Sequence, residues 1–248
     1  ILATYALLWW SYRTPKDARR AASRRLQAGA AIALLVLVNL FAVGKRYLNA
    51  DSFVRARDFG SRFVQRTVDK LILSDPDLSY RVLDFTVSVF NDSRPSYWHK
   101  NVGGYSPAKL QRYQDLIQRY LVDEIQSLQP ASQAAKTISD FEANLPPLPL
   151  LSALNCRYLI MAPESVPVVN RQAFGNAWFV DSLVAAANPD EEIARIGEVD
   201  LRRTAVIGDD FAQAREKVAS VLSNAAPSDT LYMTSYAPNE LRYHCVVA

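Results

Sequence analysis

Residues 26–44 read LQAGAAIALLVLVNLFAVG, a run of nineteen residues in which only Gln27 and Asn39 are polar. A helix rises about 1.5 Å per residue, so this run would be roughly 28 Å long, close to the thickness of the hydrocarbon core of a bilayer. A cleavable signal peptide is the competing interpretation, but its apolar core has only about 7–15 residues. The run therefore predicts a transmembrane helix.

A strongly basic stretch precedes this run. Residues 11–27 read SYRTPKDARRAASRRLQ and contain six basic residues against the single Asp17. Short basic loops beside membrane spans stay in the cytoplasm, whereas a patch for nucleic acid or anionic lipid is the alternative interpretation. Because apolar residues flank the stretch on both sides, we interpret it as a cytoplasmic loop. We then expect residues after about 47 to be extracytoplasmic.

The chain begins with an apolar segment, ILATYALLWW at residues 1–10. Ten residues are too few to cross a bilayer, which needs about 20, and the segment ends in the aromatic residues that the membrane interface favours. We therefore expect the last half of a further transmembrane helix. The chain starts with Ile rather than Met, which suggests a processed chain or a fragment. Residues 1–46 thus form a predicted helical hairpin with one full span at about 26–44.

Length and composition limit the class of protein. The chain has 248 residues, enough for one large or two small domains. From Thr67 onward it has sixteen basic and twenty-two acidic residues, which argues against a nucleic-acid partner. Cys156 and Cys245 are too few for a disulfide scaffold, and only geometry can decide whether they pair. With only two histidines, we expect no metal site and no cofactor.

Residues 47–248 have the mixed pattern of an α+β or α/β domain. Strands are predicted at 80–90, with a break near Thr86, and at 155–161, 177–180, 231–236 and 241–247. Helices are predicted at 190–196, at 211–222 and, most clearly, from Ser106-Pro107 to about 128. Apolar residues at helical spacing over 53–72 predict amphipathic helices whose arginines face solvent or contact lipid phosphates. The chain stops in mid-strand at 246–248, so we expect the domain to be truncated there.

The richest candidate for a binding site is NDSRPSYWHKNVGGYSPAKLQRYQ at 91–114. A glycine pair lets backbone N–H groups approach a ligand, and two lysines and a helix N-terminus attract anions. These features predict a site for a glycan or a lipid phosphate, although the spacing excludes a P-loop. The candidate residues here are His99, Lys100, Gly103, Gly104, Tyr105 and Lys109. The alternative is a turn at the glycine pair, with a structural histidine and aromatic residues packed on the core.

Trp178 is the last candidate, within FGNAWFV at 174–180. If exposed it could stack on a sugar ring, and if buried it belongs to the core. The acidic pairs at 191–192 and 209–210 are adjacent in sequence and do not converge on one site in a regular element, and Cys156 has no histidine nearby in sequence. We therefore expect no catalytic residue within this chain.

Three phrases together resemble the YfhO-like family of bacterial membrane proteins. They are FNDSRPSYWHKNVGGYSPAKLQRYQDLI (90–117), LSALNCRYLIM (151–161) and FGNAWFV (174–180). The resemblance implies a polytopic protein of the bacterial cytoplasmic membrane, related to GT-C glycosyltransferases. Such proteins use a polyprenyl-phosphate-linked sugar to modify a glycan or lipid of the cell envelope. The family's candidate catalytic carboxylate lies in an early loop with no counterpart here, so no catalytic residue can be carried over.

Two functions follow as expectations. In the first, the chain is the C-terminal part of a glycosyltransferase-like protein and supplies an accessory or acceptor-side domain. In the second, it is a non-catalytic, membrane-anchored interaction or glycan-binding module of the cell envelope. Both place the lipid bilayer among its partners, and neither involves nucleic acid.

Overall fold

A computed structural model describes residues 2–13, 18–219 and 229–246. The chain divides into two compact units, Ile1–Arg62 and Phe63–Ala248. The first unit is helical, whereas the second combines helices with three small sheets. The mixed helix-and-sheet class predicted for the larger part of the chain is thus confirmed.

The first unit contains three α-helices in its described residues. These are α1 (Leu2–Tyr12), α2 (Ala18–Tyr47) and α3 (Ala56–Gly60), with a 3-10 turn at Ala50–Ser52. Within α2, Arg19–Tyr47 is apolar and long enough to cross a membrane, and only 6% of its most apolar window is buried. The helix extends beyond the predicted span on both sides because its flanking arginines and alanines are good helix formers.

Helices α1 and α2 are joined by contacts between cations and aromatic rings. The Arg24 guanidinium lies 5.5 Å from the centroid of the Trp10 ring, and Arg25 lies 5.8 Å from that of Tyr12. Such contacts stabilise a pair of helices where aromatic and basic residues meet. They support the predicted hairpin; the side of the membrane on which each part lies stays a prediction.

In the second unit, helix α4 (Thr67–Leu73) precedes a three-stranded sheet. Strand β1 (Arg81–Asp84) pairs in parallel with β2 (Cys156–Ile160), and β2 pairs antiparallel with β3 (Val168–Val169). Burial of Leu83, Leu159 and Val168 places this sheet in the core. Only the first part of the predicted 80–90 strand forms. The Asp84 carboxylate accepts a hydrogen bond from the Thr86 N–H at 2.8 Å, and this turn ends β1.

A long helical segment covers the sheet. It consists of α5 (Gln111–Leu116), a π-helical turn at Ile117–Leu121 and α6 (Val122–Ala134), followed by α7 (Ile138–Ala143) and α8 (Pro149–Ala153). The predicted start at Ser106 is wrong. The Ser106 hydroxyl accepts from the Ala108 N–H in a local turn, and the helix begins only after Leu110, whose backbone is extended.

The remaining elements form two further sheets. Strands β4 (Ser182–Ala186) and β5 (Thr204–Gly208) are parallel and are connected by α9 (Pro189–Ile196), after which comes α10 (Ala212–Ala219). Strands β6 (Thr230–Ala237) and β7 (Glu240–Val246) form an antiparallel hairpin. The strand predicted at 177–180 is wrong, because these residues form a loop and the strand begins at Ser182. The predicted residues 220–222 and 247 lie outside the described part.

Both cysteines are free thiols. Cys156 is fully buried in β2, whereas Cys245 is exposed on β7. Burial raises the pKa of the Cys156 thiol far above its usual range. The question of pairing that the sequence left open is thus answered: the thiols do not form a disulfide bond.

Candidate functional site: the Lys100 cavity

Two of the predicted site residues, Lys100 and Trp178, line one cavity of about 500 Å³, which we call the Lys100 cavity. They are 78 positions apart in the sequence. Five segments meet at the cavity: the approach to β1, the loop that carries Lys100, the turn between α8 and β2, the loop before β4 and the β6–β7 hairpin. The lining residues used below are Ser79, Arg81, Lys100, Asn155, Asn176, Trp178, Tyr236, Glu240 and Tyr243.

Lys100 is fixed by two neighbours. Its ammonium nitrogen donates to the Ser79 hydroxyl at 2.8 Å and lies 3.2 Å from the centroid of the Tyr236 ring. The second contact is a cation–π interaction, which leaves the positive charge intact. Tyr236 is 44% exposed. The hairpin therefore places an aromatic ring and a cation side by side at an open cavity.

An amide pair forms the polar side of the cavity. Asn155, which has a left-handed backbone (φ 56°), donates from Nδ2 to the Ser79 carbonyl at 2.9 Å and to Asn176 Oδ1 at 3.1 Å. Because the Ser79 carbonyl can only accept, these contacts fix the orientation of both amides. Within the described residues, Asn155 Oδ1 and Asn176 Nδ2 have no hydrogen-bond partner. The pair thus leaves one acceptor and one donor available to a ligand.

Trp178 is half-buried rather than fully exposed or fully in the core. Its indole N–H donates to the Leu201 carbonyl at 3.1 Å, and its ring contacts Phe174 edge-on with the centroids 5.0 Å apart. These two contacts hold the indole ring in one position, since an indole N–H group that is shielded from water needs a hydrogen-bond acceptor. Trp178 is therefore a rigid aromatic wall of the cavity.

The other candidate residues lie elsewhere. The N–H of Gly103 donates to the Asn101 side chain at 3.2 Å, and that of Gly104 donates to the Val89 carbonyl at 2.7 Å. A Cβ on Gly103 would lie 2.0 Å from the Val89 oxygen, so glycine is required for this close approach. The geometry favours the turn interpretation of the glycine pair. Tyr105 is 60% exposed and Lys109 lies beside the Phe90 ring, and neither lines the Lys100 cavity.

His99 belongs to a buried network of charges next to Lys100 in the chain. Its Nε2 lies 2.9 Å from Asp69 Oδ1, and only 1% of its side chain is exposed. The Arg66 guanidinium donates to Asp69 and to Asp84, each at 2.8 Å. The network joins α4, β1 and the loop that ends at Lys100. The sequence analysis missed Arg66, Asp69 and Asp84, because nothing in their spacing indicates that they meet.

The network determines the charge state of Asp69. Burial by itself raises the pKa of this carboxyl, but the hydrogen bonds from Arg66 and His99 outweigh it and lower the pKa to about 2. The Nδ1 atom of His99 is buried without a hydrogen-bond partner in the described part of the chain. The burial of His99 and its contact with Asp69 indicate a structural role, in which His99 holds the loop before Lys100 in place.

In comparisons with known proteins, no family model, no curated protein and no solved structure matches the chain. The described residues also contain no group of three or more His, Cys, Asp or Glu side chains suited to a metal ion. The Lys100 cavity is therefore the feature of the described residues that bears most directly on function.

Proposed function

We propose that this chain is a membrane-anchored domain that binds a glycan of the bacterial cell envelope in the Lys100 cavity. In this proposal it is the acceptor-side part of a glycosyltransferase-like membrane protein. The observation that supports it is the meeting of Lys100 and Trp178, with Tyr236 and the amide pair, in one cavity. The glycosyltransferase part of the proposal depends on the sequence resemblance alone.

The chemistry of the lining suits a sugar. A sugar ring has an apolar C–H face and a rim of hydroxyl groups, so its site needs aromatic faces together with fixed donors and acceptors. Trp178 and Tyr236 supply the faces. Asn155 Oδ1 and Asn176 Nδ2 supply an acceptor and a donor whose orientation is already fixed. A cavity of about 500 Å³ is within the usual range for a small-molecule site.

A second cavity extends the site. It has a volume of about 530 Å³ and shares Gly175, Asn176, Met233 and Tyr243 with the first. Tyr243 is 38% exposed and Tyr232, which lines the second cavity alone, is 56% exposed. Two adjoining cavities with exposed aromatic rings suit an oligosaccharide better than a single sugar.

A membrane anchor would hold such a site at the cell envelope. Helix α2 contains a segment long and apolar enough to cross a bilayer, and the basic stretch at 11–27, which extends into the first turns of α2, favours a cytoplasmic N-terminal side. The domain that follows α2 would then face the envelope glycans.

The test is glycan binding by the full chain held in lipid nanodiscs. Envelope oligosaccharides immobilised as an array would be probed with wild-type protein and with Tyr236→Ala and Lys100→Gln. Tyr105→Ala and Lys109→Gln are matched controls, because they change the same residue types outside the cavity. We expect the cavity variants to lose at least about tenfold in affinity, as loss of a central aromatic or charged contact does. Equal binding by cavity and control variants would contradict the proposal.

The exposed hairpin favours the alternative of a protein-interaction module. Leu241 and Val246 on β7 are 50% and 48% exposed. A retained partner protein, lost in Val246→Ser while glycan binding is unchanged or absent, would favour this second function, because Val246 lines neither cavity.

A further inference from the structure

We infer that the ligand of the Lys100 cavity carries a negatively charged group, a phosphate or a carboxylate, which binds at Lys100 and Arg81. This inference rests on the proposed function and names the class of glycan. It comes from the distribution of charges over the two adjoining cavities.

Most charged side chains of the two cavities are paired within the chain. In the second cavity, Arg157 lies 3.3 Å from the Asp75 carboxylate and 2.7 Å from that of Asp77. In the Lys100 cavity, Glu240 is paired with Arg242 at 2.5 Å. Each carboxylate that lines the site is thus paired with an arginine, and Asp75 and Asp77 share Arg157, which leaves one net negative charge in the second cavity.

Lys100 and Arg81 differ from these ion-paired residues of the two cavities. In the described part of the chain neither has a carboxylate within ion-pair distance. The Arg81 guanidinium makes one hydrogen bond, to the Leu154 carbonyl at 2.6 Å, and Lys100 contacts the neutral Ser79 and Tyr236. The paired and unpaired groups together give the Lys100 cavity a local excess of two positive charges.

The backbone brings these two cations to neighbouring positions. The Val82 N–H donates to the Lys100 carbonyl at 2.9 Å, so the segment carrying Lys100 runs beside the start of β1, where Arg81 is the first residue. Like charges on adjacent segments repel each other. A bound anion would relieve this repulsion.

Both cations retain free donors for such an anion. An ammonium group has three donors and a guanidinium has five. One Lys100 donor is directed to Ser79, and one Arg81 donor to Leu154. The remaining N–H groups of Arg81 suit the bidentate binding of a carboxylate or phosphate. If the anionic substituent of the ligand binds at Lys100 and Arg81, its sugar ring can contact Trp178 and the amide pair.

The experiment compares glucose, glucose 1-phosphate, glucuronate and inorganic phosphate by calorimetry. The full chain is held in nanodiscs of zwitterionic phosphatidylcholine, so that the membrane contributes no competing anion. We expect the charged sugars to bind about tenfold more tightly than glucose or phosphate alone, as charge-assisted hydrogen bonds provide, with an affinity that falls at high salt. A preference between the two charged sugars identifies the anion as phosphate or carboxylate.

The variants Lys100→Gln and Arg81→Gln should remove the preference for charged sugars, so that each charged sugar binds no more tightly than glucose does to the same variant. Lys109→Gln is the control and should retain the preference. Near-ultraviolet circular dichroism checks that each variant is folded. Equal affinity for glucose and the charged sugars would overturn this inference but leave glycan binding intact. Absence of binding by all sugars would instead overturn the proposed function, and tight binding of inorganic phosphate alone would overturn the requirement for a sugar.

Discussion

Asp69→Asn is the substitution that most sharply tests the buried charge network. Asp69 is 1% exposed, and its carboxylate accepts hydrogen bonds from the Arg66 backbone at 2.9 Å and from the Arg66 side chain at 2.8 Å. It also lies 2.9 Å from His99 Nε2. An asparagine keeps the shape but removes the charge, and its amide nitrogen would face the donors of Arg66. Arg66 and His99 would then share one buried oxygen acceptor at position 69 instead of two.

Two arguments give the size of the effect. The Asp69 pKa of about 2, against an ordinary value of 3.8, corresponds to roughly 2 kcal/mol of stability near neutral pH. Removal of one partner from a buried ion pair costs about 3–5 kcal/mol. Because 25% of the Arg66 side chain is exposed, solvent screens part of this interaction. We therefore expect a loss of about 2–4 kcal/mol in the free energy of unfolding.

The assay is urea unfolding of the chain in nanodiscs, followed by near-ultraviolet circular dichroism. Asp92→Asn is the control, since the Asp92–Arg94 pair has an Arg94 side chain that is 60% exposed and should contribute only about 0–1 kcal/mol. A similar loss in both variants would refute the reasoning.

The same network predicts a dependence on pH. Because the Asp69 pKa is lowered in the folded state, its stabilisation is present above about pH 4 and is lost as the pH falls toward 2. Wild-type protein should lose this part of its stability over that range, whereas Asp69→Asn should not. Parallel curves for the two proteins would contradict the assignment.

Three further predictions concern the scaffold and the topology. Gly103→Ala should lower the free energy of unfolding by about 1–3 kcal/mol, because the added Cβ would clash with the Val89 carbonyl. Gly60→Ala is the control in the same unfolding assay, and it should be neutral or stabilising because the space around Gly60 is open. Glu124→Ala should cost about 1–3 kcal/mol and lower the melting temperature, because the half-buried carboxylate accepts from the Leu150 N–H at 2.7 Å. Alkaline phosphatase fused after β7 should be active and a fusion within the basic stretch at 11–27 inactive, and the reverse pattern would contradict the proposed topology.

The sequence predicted the elements that depend on local pattern. The apolar run at 26–44 lies within α2, the segment 155–161 contains β2, and the two last strands form the hairpin. Where a single side chain changed the local geometry, prediction failed. The turn made by the Asp84 carboxylate ended β1 early, and the turn at Ser106 delayed the start of α5.

The site was predicted only in part. Lys100 and Trp178 could be selected from their residue types, but their meeting in one cavity depends on the fold. Asn155 and Tyr236 contribute through a left-handed turn and a distant hairpin, which no local pattern indicates. The network around His99 is likewise a product of tertiary structure, because its charged members come from two different elements and the segment before α4.

The most direct test of the central claim observes Trp178 itself. The chain has four tryptophans, and labelling with 5-fluorotryptophan gives each a fluorine NMR signal that Trp178→Phe and Trp98→Phe assign. During titration with glucose and glucose 1-phosphate, the Trp178 signal should shift and saturate. The Trp98 signal should stay fixed, because its indole donates to the Phe63 carbonyl away from the cavity. An unchanged Trp178 signal, or equal shifts at both tryptophans, would contradict a sugar-binding site at the Lys100 cavity.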